Sequence, residues 1–284
     1  MYNEWSDRVI GQPSPDVSVG FDDPNMVYAT AVYANTFAPP KPQPLAPIPH
    51  WRFREIVILV ISGILVSGVF GVPTYLMMLV VSDPSPNGEL VALSCAGMMV
   101  FLAIFVGTLV VGQAIGRSWT DLGFRRPSTS WLIGGVFLSA MLLPIRLLVV
   151  LIVLGIPSTE AASADEQQLM TVDNWLWLAL MVFLFTAVFL APLTEELVFR
   201  SILYGWMRRS GGMIGAALVS GILFGLAHLD VRMALANSIM GVVLALVYER
   251  SRSLWVPITM HFVNNLITGG LLFIALVLVA AGGT

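Results

Sequence analysis

The chain has 284 residues, of which 57% are apolar and 11% are charged, and its formal net charge is −3. A soluble globular domain carries about 25% charged residues, so this composition excludes an ordinary soluble protein. The absence of a basic excess excludes a nucleic-acid binder. We therefore expect an all-α integral membrane protein whose surroundings are a lipid bilayer and which has no nucleic-acid partner.

The first part of the chain differs from the rest. Residues 1–54 are rich in proline, include the run APPKPQPLAPIP and show no hydrophobic periodicity. Such a segment buries too little apolar surface to offset its ordering entropy, so it is predicted to be a disordered N-terminal tail. A partner-docking segment at residues 26–33 is the alternative. Residues 55–284 are predicted to form the membrane domain.

Apolar stretches of membrane-spanning length follow the tail. A helix needs about 20 residues to cross the hydrocarbon core. We expect a bundle of seven to eight transmembrane helices, the number depending on whether the short fifth stretch is counted. The stretches are 56–81, 90–116, 131–156, 174–193, 195–208, 212–229, 233–249 and 254–281.

Arginines recur in alternate loops between these stretches, whereas the loops at 83–89 and 160–173 contain acidic residues and no arginine. Positive charge marks the cytoplasmic side of a membrane protein. The N-terminus is therefore predicted to lie in the cytoplasm, with the plasma membrane as the expected location. The arginines on this side are Arg52, Arg54, Arg117, Arg125, Arg126, Arg208, Arg209, Arg250 and Arg252.

Ionisable residues inside the apolar stretches indicate function, because each costs at least about 2.5–3.5 kcal/mol to insert. In the run APLTEELVFR, Pro192 is expected to break the preceding helix, and Thr194 is expected to cap a new one. Glu196 and Arg200 have the spacing of a same-face ion pair. Glu195 points about 100° around the helix, so we expect it to remain unpaired.

Two further apolar stretches carry polar groups. Phe224 and His228 are four residues apart in FGLAH, and His261 and Asn265 are four apart in HFVNN. A buried carboxylate can act as a base toward water, and His and Asn can donate hydrogen bonds to an oxyanion. These groups meet only if the helices near the proline and at residues 229–234 are short, broken or tilted. We therefore predict a buried polar cavity.

Three more residues inside the apolar stretches have a predicted structural or functional role. Arg146 is either the structural partner of a buried acid or the receptor for a carboxylate of a substrate. Gly221 and Gly225 are predicted to permit close contact between helices.

The motifs Glu-Glu-x-x-x-Arg, Phe-x-x-x-His and His-x-x-x-Asn are complete and stand in this order. In these motifs the chain resembles the CPBP intramembrane proteases. These include the Ras-converting, type 2 CAAX prenyl endopeptidases and bacterial Abi-like proteins linked to bacteriocin processing and self-immunity. The resemblance covers residues 174–275, the expected catalytic core.

The resemblance implies roles for individual residues. Glu195 with His228 would activate a water molecule, and His261 and Asn265 would stabilise the oxyanion or help to bind a metal. The supporting residues would be Glu196, Arg200 and Phe224.

The resemblance leaves the metal open. Glu195, His228 and His261 are an acceptable ligand set for a zinc ion, Zn2+. The HExxH motif of zinc proteases is absent, and a metal-free glutamate mechanism is the alternative. The serine motif GxSG and the aspartyl motif GxGD are absent as well.

The expected function is that of an endopeptidase acting on a membrane-associated peptide or a lipidated protein, a prenylated CAAX tail among them. A non-catalytic membrane scaffold or immunity protein with the same fold is one alternative, and the intact motif set argues against it. A proton-coupled transporter is the other. Transporters more often show paired broken helices, whereas one break is predicted in this chain.

Overall fold

The computed structural model describes residues 47–82, 85–154 and 174–282. Within these ranges the secondary structure is helical, without a β-strand. Residues 1–46 of the predicted tail and the whole acidic loop at 160–173 lie outside the described residues. The elements are α1 (Phe53–Val81), α2 (Pro86–Ala114), α3 (Thr129–Leu154), α4 (Asn174–Phe185), a first π-helical segment (Thr186–Leu190), α5 (Ala191–Glu196), a second π-helical segment (Leu197–Tyr204), α6 (Gly205–Leu226), α7 (Val231–Ser251) and α8 (Trp255–Gly282).

The described part of the chain contains six helical stretches that are long and apolar enough to cross a membrane. The fourth, Asn174–Leu226, has 53 residues and is bent at Gly212, whose φ of 66° and ψ of −178° suit glycine. The predicted membrane bundle is confirmed. The count differs from the predicted seven to eight because the stretches predicted at 174–193, 195–208 and 212–229 are joined in one helical stretch, Asn174–Leu226.

Large apolar side chains cover the outside of the bundle. On α1, Ile64, Val69 and Val80 are 67%, 65% and 86% exposed. Contiguous apolar surface of this kind would be unfavourable in water and suits the hydrocarbon of a bilayer. The protein is therefore an integral membrane protein.

Residues 47–52, which were assigned to the predicted tail, pack against the membrane domain. Trp51 is 5% exposed, and its ring N–H donates to the carbonyl oxygen of Ser201 at 2.7 Å. The guanidinium of Arg117 lies 5.0 Å from the centre of the Trp51 ring. The packed part of the chain thus begins before the predicted boundary at residue 55.

Helices α6 and α7 approach each other so closely that only glycine fits between them. A Cβ atom on Gly221 would lie 2.5 Å from the backbone nitrogen of Val242. One on Gly225 would lie 2.2 Å from the carbonyl oxygen of Ala234 and 2.1 Å from the hydroxyl of Ser238. The prediction that these glycines permit close helix contact is confirmed.

Replacing Gly225 with alanine is expected to lower the free energy of unfolding by about 1–3 kcal/mol, because the added methyl group forces the two helices apart. Thermal unfolding in detergent measures the effect. Gly215→Ala is the matched control on the same helix, since no atom lies within 4 Å of its added Cβ and alanine favours a helix. Equal melting temperatures for the two variants would contradict the close contact.

Candidate active site

A cavity of about 700 Å³ lies inside the bundle. All four residues predicted to be catalytic, Glu195, His228, His261 and Asn265, line it. They come from α5, from the turn after α6, and from α8. The structure therefore brings the three motifs together around one space, as the prediction of a polar cavity requires. Their catalytic roles stay a prediction.

The helix around Pro192 differs from the prediction. No break occurs, because the backbone runs from the first π-helical segment directly into α5. A π-helical turn contains an extra residue and can absorb the hydrogen bond that proline cannot make. Thr194 does not cap a helix. Its hydroxyl donates to the carbonyl oxygen of Phe101 on α2 at 3.2 Å. Both expectations, the break and the cap, are wrong.

The second expected interruption is present. Helix α6 ends at Leu226 and α7 begins at Val231, so His228 lies in the turn between them. Leu229 in this turn has a φ of 58°, a left-handed conformation that is uncommon for a residue other than glycine. The turn separates α6 from α7 next to the cavity and positions His228 in the cavity wall.

Glu196 and Arg200 form the predicted ion pair. Their side chains are completely buried, with Glu196 Oε2 2.9 Å from Arg200 Nε. The Arg200 guanidinium lies 4.5 Å from the centre of the Phe224 ring, and its Nη2 donates to the carbonyl oxygen of Gly241 at 3.3 Å. The second oxygen of Glu196 contacts Nδ1 of His261 at 2.9 Å. Glu196 therefore joins the ion pair to a predicted catalytic histidine.

Phe224 separates the two histidines. The centre of its ring lies 5.1 Å from that of His228 and 5.5 Å from that of His261, edge to face in both cases. Such contacts fix the planes of the rings. The supporting role predicted for Phe224 therefore has a physical basis in the positioning of both imidazoles.

Glu195 is the free carboxylate that the helical spacing predicts. Its Oε2 lies 3.8 Å from Nε2 of His261, and this oxygen has no hydrogen-bond partner among the described residues. Glu195 also interacts electrostatically with His228. An oxygen without a partner in a cavity wall is available to bind a water molecule.

Hydrogen bonds from Nδ1 fix the orientation of both histidine rings. Nδ1 of His228 lies 2.9 Å from the carbonyl oxygen of Phe224. A carbonyl oxygen only accepts, so this nitrogen carries a proton, and Nε2 has the lone pair of the neutral ring. Nδ1 of His261 donates to Oε1 of Glu196, whose other carboxylate oxygen faces Arg200. This leaves Nε2 of His261 beside Glu195.

Asn265 uses part of its hydrogen-bonding capacity to hold its place. Its Nδ2 donates to the carbonyl oxygen of Ala187 at 2.8 Å. The amide nitrogen has a second N–H, which remains for a ligand in the cavity. Asn264, which sequence reasoning did not single out, is buried and donates to Oδ1 of Asn265 at 3.3 Å. The two adjacent asparagines in HFVNN are the sequence feature that could have indicated a role for Asn264.

The predicted metal ligands do not form a metal site as they stand. In the described ranges, no three His, Cys, Asp or Glu side chains are grouped so that they could hold a metal ion. The hydrogen bonds from Nδ1 of His228 and His261 are of the type that orients metal-binding histidines, but together with Glu195 these side chains are not grouped as a metal site requires.

Residues 176–267 match the family described as "Type II CAAX prenyl endopeptidase Rce1-like". The matched range includes all seven motif residues, Glu195, Glu196, Arg200, Phe224, His228, His261 and Asn265. This match agrees with the resemblance to the CPBP family that the three motifs carry. The match supports the general activity of a membrane protease.

Two relatives agree with this assignment. The putative membrane peptidase YdiL of Bacillus subtilis (strain 168) is 25% identical over 186 residues, which cover 64% of this chain and 73% of that protein. The membrane-embedded CAAX protease MroQ of Staphylococcus aureus (strain USA300) is 34% identical over 90 residues, which cover 30% of this chain and 36% of that protein. No solved structure matches the chain significantly.

Proposed function

We propose that this protein is an intramembrane endopeptidase that hydrolyses a peptide bond of a membrane-associated substrate. The observation that carries the proposal is the unpartnered oxygen of Glu195, which lines the same cavity as His228, His261 and Asn265. A base, two imidazoles and an amide donor around one space are the groups that peptide hydrolysis requires.

The first step is attack by water. Glu195 and Nε2 of His228 hold the water, and Glu195 takes one of its protons while the water oxygen bonds to the carbonyl carbon of the substrate. When the carbon–nitrogen bond breaks, Glu195 returns the proton to the leaving amine. The first products are a carboxylic acid and an amine, and Glu195 ends in its initial state. The new acid then passes its remaining proton to the amine or to solvent and becomes a carboxylate.

The second requirement is a donor for the oxyanion that forms during attack. Asn265 has one N–H left after its bond to the carbonyl oxygen of Ala187. His261 donates from Nε2 when both of its ring nitrogens carry a proton. Fixed donors in a site shielded from water stabilise such a charge strongly. Glu196 acts on this step by holding the ring of His261.

The proposed substrate belongs to one of two classes. The name of MroQ includes CAAX protease, so a prenylated CAAX tail is one candidate, and a small membrane-associated peptide is the other. The distribution of arginines supports a cytoplasmic N-terminus, and the plasma membrane is the proposed location.

The test is a cleavage assay with the purified protein in liposomes and a membrane-anchored reporter peptide in water enriched in oxygen-18. Mass spectrometry should find one heavy oxygen in the new carboxyl group. His228→Ala is expected to lower the rate by about 100-fold, because the attacking water loses one of the two groups that position it. Equal rates for the wild type and His228→Ala would contradict the proposed role.

A zinc requirement is tested in the same assay. Treatment with a chelator followed by stoichiometric Zn2+ distinguishes two outcomes. Loss of cleavage and its recovery would support Glu195, His228 and His261 as zinc ligands, whose chemistry would be to polarise the bound water. An unchanged rate in the metal-depleted protein would favour the glutamate mechanism.

A further inference from the structure

A second polar feature of the cavity has no part in the mechanism above. Arg146 on α3 lines the cavity together with Asn237 on α7. Its Nη2 donates to Oδ1 of Asn237 at 2.5 Å. Its Nε and Nη1 are buried and have no hydrogen-bond partner among the described residues.

Arg146 differs from the other guanidinium next to the active site. Arg200 interacts with the carboxylates of Glu196 and Glu195. No charged partner in the described part of the chain acts on Arg146. The first of the two interpretations of Arg146, a structural partner for a buried acid, therefore finds no acid. A buried cation without a counter-ion is costly in a membrane and indicates a functional site.

The chemistry of the site specifies its ligand. A guanidinium with two unused donor nitrogens is complementary to the two oxygens of a carboxylate. Asn237 restrains the guanidinium from the opposite helix, so less side-chain freedom is lost on binding. The cavity volume of about 700 Å³ lies within the range of small-ligand sites. A single bound peptide can therefore contact both Arg146 and the catalytic groups.

We propose that Arg146, held by Asn237, is a specificity subsite that binds a carboxylate of the peptide substrate. The proposal rests on the proposed protease function and adds that the substrate carries a carboxylate which Arg146 binds. The carboxylate is either the C-terminal group of the substrate or an Asp or Glu side chain near the cleaved bond.

Two pairs of reporter peptides distinguish these sources. One pair differs only in a C-terminal carboxylate or amide, and the other only in Asp or Asn beside the cleaved bond. The wild type is expected to cleave the carboxylate member of one pair about 10- to 100-fold more efficiently in kcat/KM, which is the effect of one charge-assisted contact. The pair that shows the preference identifies the source.

Variants then assign the preference to Arg146. Arg146→Gln is expected to cleave both members of the pair at the same low rate. Asn237→Asp places a carboxylate of the protein beside the guanidinium and should also reduce the preference, without deleting the buried arginine. Arg209→Gln makes the same chemical change at an exposed position outside the cavity lining and should keep the wild-type ratio.

Two results would overturn the subsite. One is a wild-type protein that prefers neither carboxylate peptide. The other is a wild-type ratio in both Arg146→Gln and Asn237→Asp. Binding of the same labelled peptides to the Glu195→Gln protein separates this proposal from the proposed function. Tighter binding of the carboxylate peptide, together with no cleavage by the wild type, would retain the subsite and reject the protease.

Discussion

Replacing Glu195 with glutamine is expected to lower kcat for peptide hydrolysis by about 100- to 10,000-fold, with a much smaller change in KM. Glu195 is the single carboxylate among the described residues that line the cavity. Glutamine keeps the shape of the side chain but cannot take a proton from water. The reporter assay in liposomes measures the loss at matched protein concentrations.

Two controls make this result specific. Glu89→Gln applies the same change to an exposed residue in the first turn of α2 and should retain wild-type kcat. Glu195→Asp keeps a carboxylate but withdraws it by one methylene, so an intermediate rate is expected. If Glu195→Gln reaches the membrane in normal amounts and cleaves like the wild type, a non-catalytic scaffold becomes the better explanation of this cavity.

The features of the site that depend on local helix geometry could be predicted from the sequence. The pairing of Glu196 with Arg200 follows from a spacing of four residues, and the freedom of Glu195 follows from its place one residue earlier. An interruption of the helix close to His228 could be inferred, at residues 229–234, because the three motifs otherwise lie at different depths. These inferences need only the rise and rotation of a helix.

Contacts between distant segments could not be predicted in this way. The bond from His261 to Glu196 joins residues 65 positions apart, and no local spacing indicates it. The same holds for Asn237 in α7, because its hydrogen bond with Arg146 on α3 joins two distant segments of the chain. At Pro192 the rule that proline breaks a helix gave a wrong prediction, because a π-helical segment accommodates the missing N–H donor without ending the helix.

The largest expected effect on stability is at Arg200. Replacing it with methionine is expected to lower the free energy of unfolding by about 3–5 kcal/mol, because the carboxylate of Glu196 would stay buried without its cation. Both side chains have no exposed surface, so water cannot replace the lost partner. Thermal or chemical unfolding of the detergent-solubilised protein measures the change, in the absence of any substrate.

The double variant Glu196→Gln with Arg200→Met tests the cause. It removes both charges, so the stability lost in Arg200→Met should largely return, even though His261 then loses its charged partner and cleavage stays slow. Arg209→Met, at an exposed position, should change stability by less than about 0.5 kcal/mol. If the double variant is as unstable as Arg200→Met alone, packing of the arginine against Phe224 is the source of its contribution, and neutralisation of Glu196 is not.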